Sequence, residues 1–210
     1  MKKWIALVLA LALALSLCAC SSDEEVKGEV TETPFSMGVS EGTTYTNEYF
    51  GFGCTLSDDW YLYSEEEILE MNSISADAMG EELAEQIEKC DILYDMAAQY
   101  GETGESTINV NVENPGVAAL ALSTKDYLSS QQDMLKEGME NMGFETVNVT
   151  ISTVKFAGSE RDCAYVDCVI GDMTFKECIV TVKEGTRFAN ISIGTVNDDL
   201  DTILGYFYEV

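Results

Sequence analysis

Between Glu145 and Thr195 apolar and polar side chains alternate along nearly every segment, and short glycine-centred breaks divide the pattern. Val147, Val149 and Ile151 alternate with polar neighbours, and Gly158-Ser159-Glu160, Gly171-Asp172 and Glu184-Gly185 interrupt the run. A period of two sends successive side chains to opposite faces of a strand. This half of the chain therefore predicts a four-stranded antiparallel meander at about 145–156, 162–170, 173–183 and 186–195. A two-residue turn at Gly171-Asp172 pairs Ile170 with Met173 and sets Asp167 opposite Lys176, and opposite charges across a ladder support that register.

The first half changes period more often. Phe50, Phe52, Cys54 and Leu56 alternate with Gly51, Gly53 and Thr55, which predicts a strand with one heavily buried face. Ser57-Asp58-Asp59 turns the chain, and Trp60 to Tyr63 reads as the return strand. Ser64 and Glu67 form a capping box ahead of Ile68, Leu69 and Met71, so a helix starts there. A second helical stripe joins Ala76, Met79, Leu83 and Ile87, with Glu81, Glu82, Glu85 and Glu88 on its solvated side. Residues 91–98 and 106–113 read as strands. In the latter, Ile108, Val110 and Val112 face a core, while Asn109 and Asn111 are expected on a half-exposed face. Ser123 caps a third helix whose stripe runs Leu128, Gln131, Leu135, Met139 and Met142 before Gly143. Leu200, Ile203, Leu204 and Phe207 predict a closing amphipathic helix capped by Asn197 or Asp198.

The amino end reads differently. Lys2 and Lys3 precede an apolar run from Trp4 to Leu15, followed by Leu17-Cys18-Ala19-Cys20. A basic stretch, a short apolar stretch and a small residue before the cut are the marks of an export signal. The tetrad resembles the lipobox of bacterial lipoproteins, with the small Ala19 before Cys20 where Leu17 before Cys18 is too bulky. That resemblance implies removal of residues 1–19 and a diacylglyceryl thioether on Cys20. The other reading is an uncleaved membrane helix, near the lower limit of length for spanning. Residues 20–44, rich in Ser, Thr, Glu and Gly, read as the lipidated cysteine and a flexible acidic linker, and 45–210 as one domain.

Charge narrows the partners. The chain has 11 Lys and Arg against 38 Asp and Glu, and no histidine. Two of those lysines and no acid lie in the signal, so the mature segment carries a net charge of −29. No nucleic acid is expected as a partner, because such binding rests on cations. Loose adsorption to an anionic membrane is opposed as well, so attachment is assigned to the diacylglyceryl anchor. A cationic ligand or a protein partner suits the field better, and cation capture is a further possibility. Without histidine the usual general base and zinc ligand are missing, and neither cofactor nor metal is assigned.

The candidate chemistry is sparse. Besides Cys20 the mature chain holds Cys54, Cys90, Cys163, Cys168 and Cys178. In the register above, Cys163 and Cys178 share a face and lie diagonally, which makes them the possible disulfide, while Cys168 points the other way. Buried free thiols acting as small hydrophobes are the alternative. Ser152 and Lys155 match the S-x-x-K string of serine acyl enzymes, but spacing three on a strand sends them to opposite faces. A hydrolase using carboxylates or Ser152 is the alternative to a non-enzymatic binding or accessory module.

The run Asn47-Glu-Tyr-Phe-Gly-Phe-Gly53, the Leu56-Ser-Asp-Asp-Trp60 turn, the long third helix and the terminal strands with their closing helix resemble the PsbP-like fold, with Ser57 where that turn usually has Pro. The resemblance implies an α+β domain, a single antiparallel sheet with helices packed on it. It includes scaffolding and binding proteins, and it carries no catalytic residue onto this chain.

Overall fold

The computed structural model describes residues 34–78, 92–101, 104–171, 173–197 and 199–210. Cys20, Ala19, Cys90 and most of the second helical stripe lie outside the described residues, as does the greater part of the segment read as linker.

The alternation of the second half sets out the backbone of the fold. Strands β7 (Glu145–Phe156), β8 (Ser159–Ile170), β9 (Met173–Glu184) and β10 (Arg187–Thr195) form the expected meander. Asp167 pairs with Lys176 and Ile170 with Met173, as the turn demanded. Strands β4 (Trp60–Leu62), β5 (Leu93–Tyr100) and β6 (Ser106–Glu113) extend it to seven strands, all antiparallel, in the order β4-β5-β6-β10-β9-β8-β7.

The expectation of a single sheet is corrected. Strands β1 (Val39–Glu41), β2 (Thr44–Asn47), β3 (Phe52–Thr55) and β11 (Phe207–Glu209) form a separate four-stranded sheet in the order β1-β2-β3-β11. The strand at Phe52 and the strand at Trp60 are therefore not a hairpin. They belong to different sheets, because the Ser57 turn carries the chain from one layer to the other. Ordered structure also begins before Tyr45: β1 lies in the stretch read as linker, and the Phe35 ring meets Tyr49 edge-on at 5.2 Å and sits under the Arg187 guanidinium at 4.2 Å.

Among the described residues three helices complete the layers. In α1 (Glu65–Ala78) the capping box forms, with the Ser64 amide donating to Glu67 Oε2 at 2.8 Å. A 3₁₀ turn (Gly116–Ala121) leads into α2 (Thr124–Asn141), where the Asp126 amide donates to Ser123 at the N-cap. Helix α3 (Leu200–Leu204) is shorter than predicted and starts from Asp199, without a side-chain cap bond. Gly205 ends it, and Phe207, expected on its apolar stripe, instead opens β11 opposite Cys54.

Two large cores result, one on each face of the large sheet, with a small third cluster of Ile68, Tyr94 and Ala97 where α1 meets β5. Between the sheets, Tyr45, Phe52, Phe207 and Ile203 meet Met96, Val110, Val180 and Ile191. On the other face, Leu128, Leu135 and Met139 of α2 cover Val166, Phe175, Ile179 and Phe188. A large side chain fully buried in such a layer contributes roughly 1.5–3 kcal/mol, so each layer is held chiefly by area removed from water.

One polar contact ties the small sheet to the large one. A bulge between Tyr94 and Met96 frees Asp95 from strand pairing. Its carboxyl accepts from Tyr45 Oη at 2.5 Å, from Asn47 Nδ2 at 2.7 Å and from the Gly38 amide at 2.9 Å. Gly38 has to be glycine here, since a Cβ at that position would stand 2.4 Å from the Tyr45 ring. Burial pushes the Asp95 carboxyl above its ordinary range, and the three donors pull it back. Asp95→Ala would leave those donors buried without an acceptor, at about 1–3 kcal/mol each. The expected outcome is a loss of about 4 kcal/mol in urea unfolding, and a loss below about 1 kcal/mol would show that the clamp does not join the layers.

Candidate functional site

The helix-covered face of the large sheet holds most of the chain's buried polarity. On β6 the period of two places Thr107, Asn109, Asn111 and Glu113 on the face opposite Ile108, Val110 and Val112. Asn109 and Asn111 were expected on a half-exposed face, and that expectation is corrected: each is only 5% exposed. The physical reason is position. Strand β6 lies third in a seven-stranded sheet that carries a packed layer on both faces, so alternation marks two different interiors rather than core and solvent.

Across the ladder the same face continues through Asn190 and Ser192 of β10 and through Glu177 and Thr181 of β9. At one end the network closes on itself. Tyr127 of α2 donates to Glu113 Oε1, and Asn190 Nδ2 reaches the same oxygen at 2.9 Å and the Tyr127 hydroxyl at 2.8 Å. Thr181 Oγ1 donates to Asn190 Oδ1 at 2.8 Å. The Tyr127 ring stacks on Phe188 with centroids 4.4 Å apart and planes at 14°, which fixes the hydroxyl over the strands. Lys183 Nζ caps this end by donating to the Leu122 carbonyl at 2.7 Å.

Elsewhere on this face buried polar atoms have no protein partner. Asn111 Oδ1, Ser192 Oγ, Glu177 Oε2 and, on α2, Gln131 Nε2 are buried without one. The Ser192 hydroxyl lies near enough to Glu177 to favour its charged form slightly, but the two do not complete a hydrogen bond. Burial dominates, and it pushes the Glu177 carboxyl from 4.5 up to about 7. Three orphan oxygens and one orphan N–H are what internal water satisfies, since a buried water makes about three hydrogen bonds.

The ladder decides what this face can do. Glu177 is in register with Gly194 and Asn111 with Asn190, so at 4.8 Å between strands and 3.4 Å per residue their Cα atoms are roughly 17 Å apart. The orphans form a diagonal row and do not converge on one ion. Glu113 is in register with Phe188, which sets the Cα atoms of the two buried glutamates of this face roughly 22 Å apart. Carboxylate pairs that hydrolyse glycosides stand at about 5–9.5 Å. The serine reading fails on geometry too: Ser152 and Lys155 are both exposed, on a strand whose alternation separates them.

The cysteines fall on both faces. Cys163 and Cys178 lie together in the core between the sheets, and Cys168 lies in the core beneath α2. Cys54 belongs to the small sheet, and burial pushes its thiol, like that of Cys168, up to about 12. Sequence reasoning did not single out Glu177, Thr181 or Asn190. The available signal was that each occupies an inward position of the same alternation that places Phe175, Ile179 and Phe188.

A carboxyl whose folded value is raised adds stability below its unfolded value, and that stability is lost as pH rises through the folded one. For Glu177 the window runs from 4.5 to about 7, and at 1.36 kcal/mol per pH unit it amounts to about 3 kcal/mol. Urea unfolding of Glu177→Gln against the natural chain should show the variant gaining about that much relative stability between pH 4.5 and pH 8. Parallel pH curves for the two proteins would mean that Glu177 is not buried in this way.

No family model matches the chain, and no curated protein matches it. Among solved structures, the solution structure of a cyanobacterial PsbP protein (CyanoP) from a Synechocystis species is similar in overall path, with a TM-score of 0.49 and 9% identity over 88% of this chain and 99% of that one. At that level of likeness no residue role passes from one chain to the other.

Proposed function

We propose that this is an extracytoplasmic lipoprotein, held to a membrane through a diacylglyceryl group on Cys20 and acting as a non-enzymatic binding or accessory module. The observation that carries the reading is the amino-terminal sequence, where Lys2 and Lys3, an apolar run and Leu17-Cys18-Ala19-Cys20 follow in the order that export and lipidation require. Two acyl chains hold stably where one holds only marginally, at about 0.8 kcal/mol per buried methylene. Among the described residues no helix is long and apolar enough to cross a membrane.

The binding reading is supported by what the interior does with its polar groups. Of the enzymatic alternatives, the buried Glu113 and Glu177 stand far apart and Ser152 and Lys155 alternate along β7, which favours the binding reading. The net charge of −29 favours a cationic ligand or the basic surface of a protein partner over any anionic one. Cations would be attracted to the field as a whole, since no group of three or more ligating side chains is present among the described residues.

Metabolic labelling with an alkynyl fatty acid, read together with gel mobility, tests the anchor. The natural chain should take up label and run shorter than its precursor. Cys20→Ser should take up none and keep residues 1–19. Equal labelling of the two, or no label on either, would remove the anchor and the localisation with it.

A further inference from the structure

Cys163 and Cys178 stand on neighbouring strands, with Cys163 in register with Val180 and Cys178 with Tyr165. They are diagonal neighbours on the face turned toward the small sheet. Both are 0% exposed and both are free thiols. Diagonal positions on a flat ladder lie about 7–8 Å apart. Both side chains lie in the same core cluster, with Tyr165 packed against it, and each thiol is the largest influence on the titration of the other. A disulfide joins Cα atoms about 4.4–6.8 Å apart, so closure asks the two strands to draw together by about 1 Å along this diagonal.

The pair is also chemically unequal. The neighbouring Cys178 holds the Cys163 thiol below its ordinary value, while Cys163, together with burial, pushes Cys178 up. Cys54 and Cys168 have no such neighbour and are only raised, by burial. A lowered thiol beside a protonated one is the arrangement of an attacking and a resolving cysteine. Tyr165 is half-buried and packs against this core, so a movement of its ring would open the path to solvent.

We propose that Cys163 and Cys178 are a redox pair that closes to a cross-strand disulfide by exchange with an external disulfide. The Cys163 thiolate attacks one sulfur of the external disulfide, forming a mixed disulfide and releasing one thiolate. That thiolate takes up the proton of Cys178. The Cys178 thiolate then attacks Cys163 Sγ, the protein S–S bond forms, and the second external thiolate leaves. The proton that Cys163 released to solvent on forming its thiolate ends on that second external thiolate, so two protein thiols are oxidised and one external disulfide is reduced to two thiols. Because both sulfurs are covered, exchange waits for Tyr165 to move aside, and closure is gated rather than immediate. Working in an oxidising space rests on the extracytoplasmic reading above, but the chemistry of the pair in the purified chain does not, so the two can fail separately.

The test uses the purified full-length chain and oxidised glutathione as the external disulfide. After alkylation of the remaining thiols, trypsin cuts at Arg161, Lys176 and Lys183, which puts Cys163 in peptide 162–176 and Cys178 in peptide 177–183. Mass spectrometry should find these two peptides joined with the loss of two hydrogens, and fragment ions should place the bond at Cys163, with Cys168 alkylated. Cys168→Ala should keep the bond, Cys178→Ser should carry glutathione on Cys163 instead, and Tyr165→Ala should close several-fold faster. Peptides that stay unjoined in the folded natural chain, or a bond through Cys168 or Cys54, would overturn the proposal without need of any variant.

Discussion

The three donors gathered on Asp95 are the constraint on which the arrangement of layers depends. Apolar area holds the small sheet against the large one, but apolar contact does not choose between nearby placements. A buried carboxyl with donors from β2 and from the chain ahead of β1 does choose, because a shift of one residue would strand all three donors. The bulge in β5 is the local cause: the extra residue leaves the ladder and turns its side chain toward the other layer. Asn47 binds twice over, donating to Asp95 and accepting from the Phe50 amide at 2.9 Å, so the turn that leads into β3 is set by the same cluster.

The large sheet separates two kinds of interior. Toward the small sheet it presents Val110, Val180, Ile191 and their neighbours. Toward α2 it mixes Phe175, Ile179 and Phe188 with Asn190, Thr181 and Glu177. The closed part of that polar set, around Glu113 and Tyr127, fixes the helix over the strands by directional bonds. The open part has no such return, and its buried carboxyl is held by desolvation in a state that responds to pH near neutrality. A mixed interior of this kind is less stable than an apolar one of the same volume.

Much of this was legible in the chain. The meander and its register followed from strict alternation plus two glycine turns, and Asp167 opposite Lys176 fixed the pairing. The caps at Ser64 and Ser123 were legible because a serine followed three residues later by an acid leaves little else for the backbone to do. The second sheet was not legible. Its strands are three or four residues long, too short to display a period, and Phe207 satisfied a helical spacing equally well while belonging to β11. Asn109 and Asn111 were misplaced because alternation reports that two faces differ and is silent on what covers each. The diagonal position of Cys163 and Cys178 was legible once the hairpin register was known. How near the two sulfurs come, and the place of Tyr165 beside them, depend on twist and rotamer, which no spacing encodes.

The outer edge of the small sheet is also where the chain enters the folded body. A pull applied to the amino end would load the Phe35 ring under Arg187 and the Gly38 amide on Asp95 before it reached β1. Once those contacts gave way, the three residues of β1 would peel from β2 bond by bond, as a zipper does. Because Arg187 and Asp95 belong to the seven-stranded sheet, such a load would enter the larger layer before the edge of the smaller one opened.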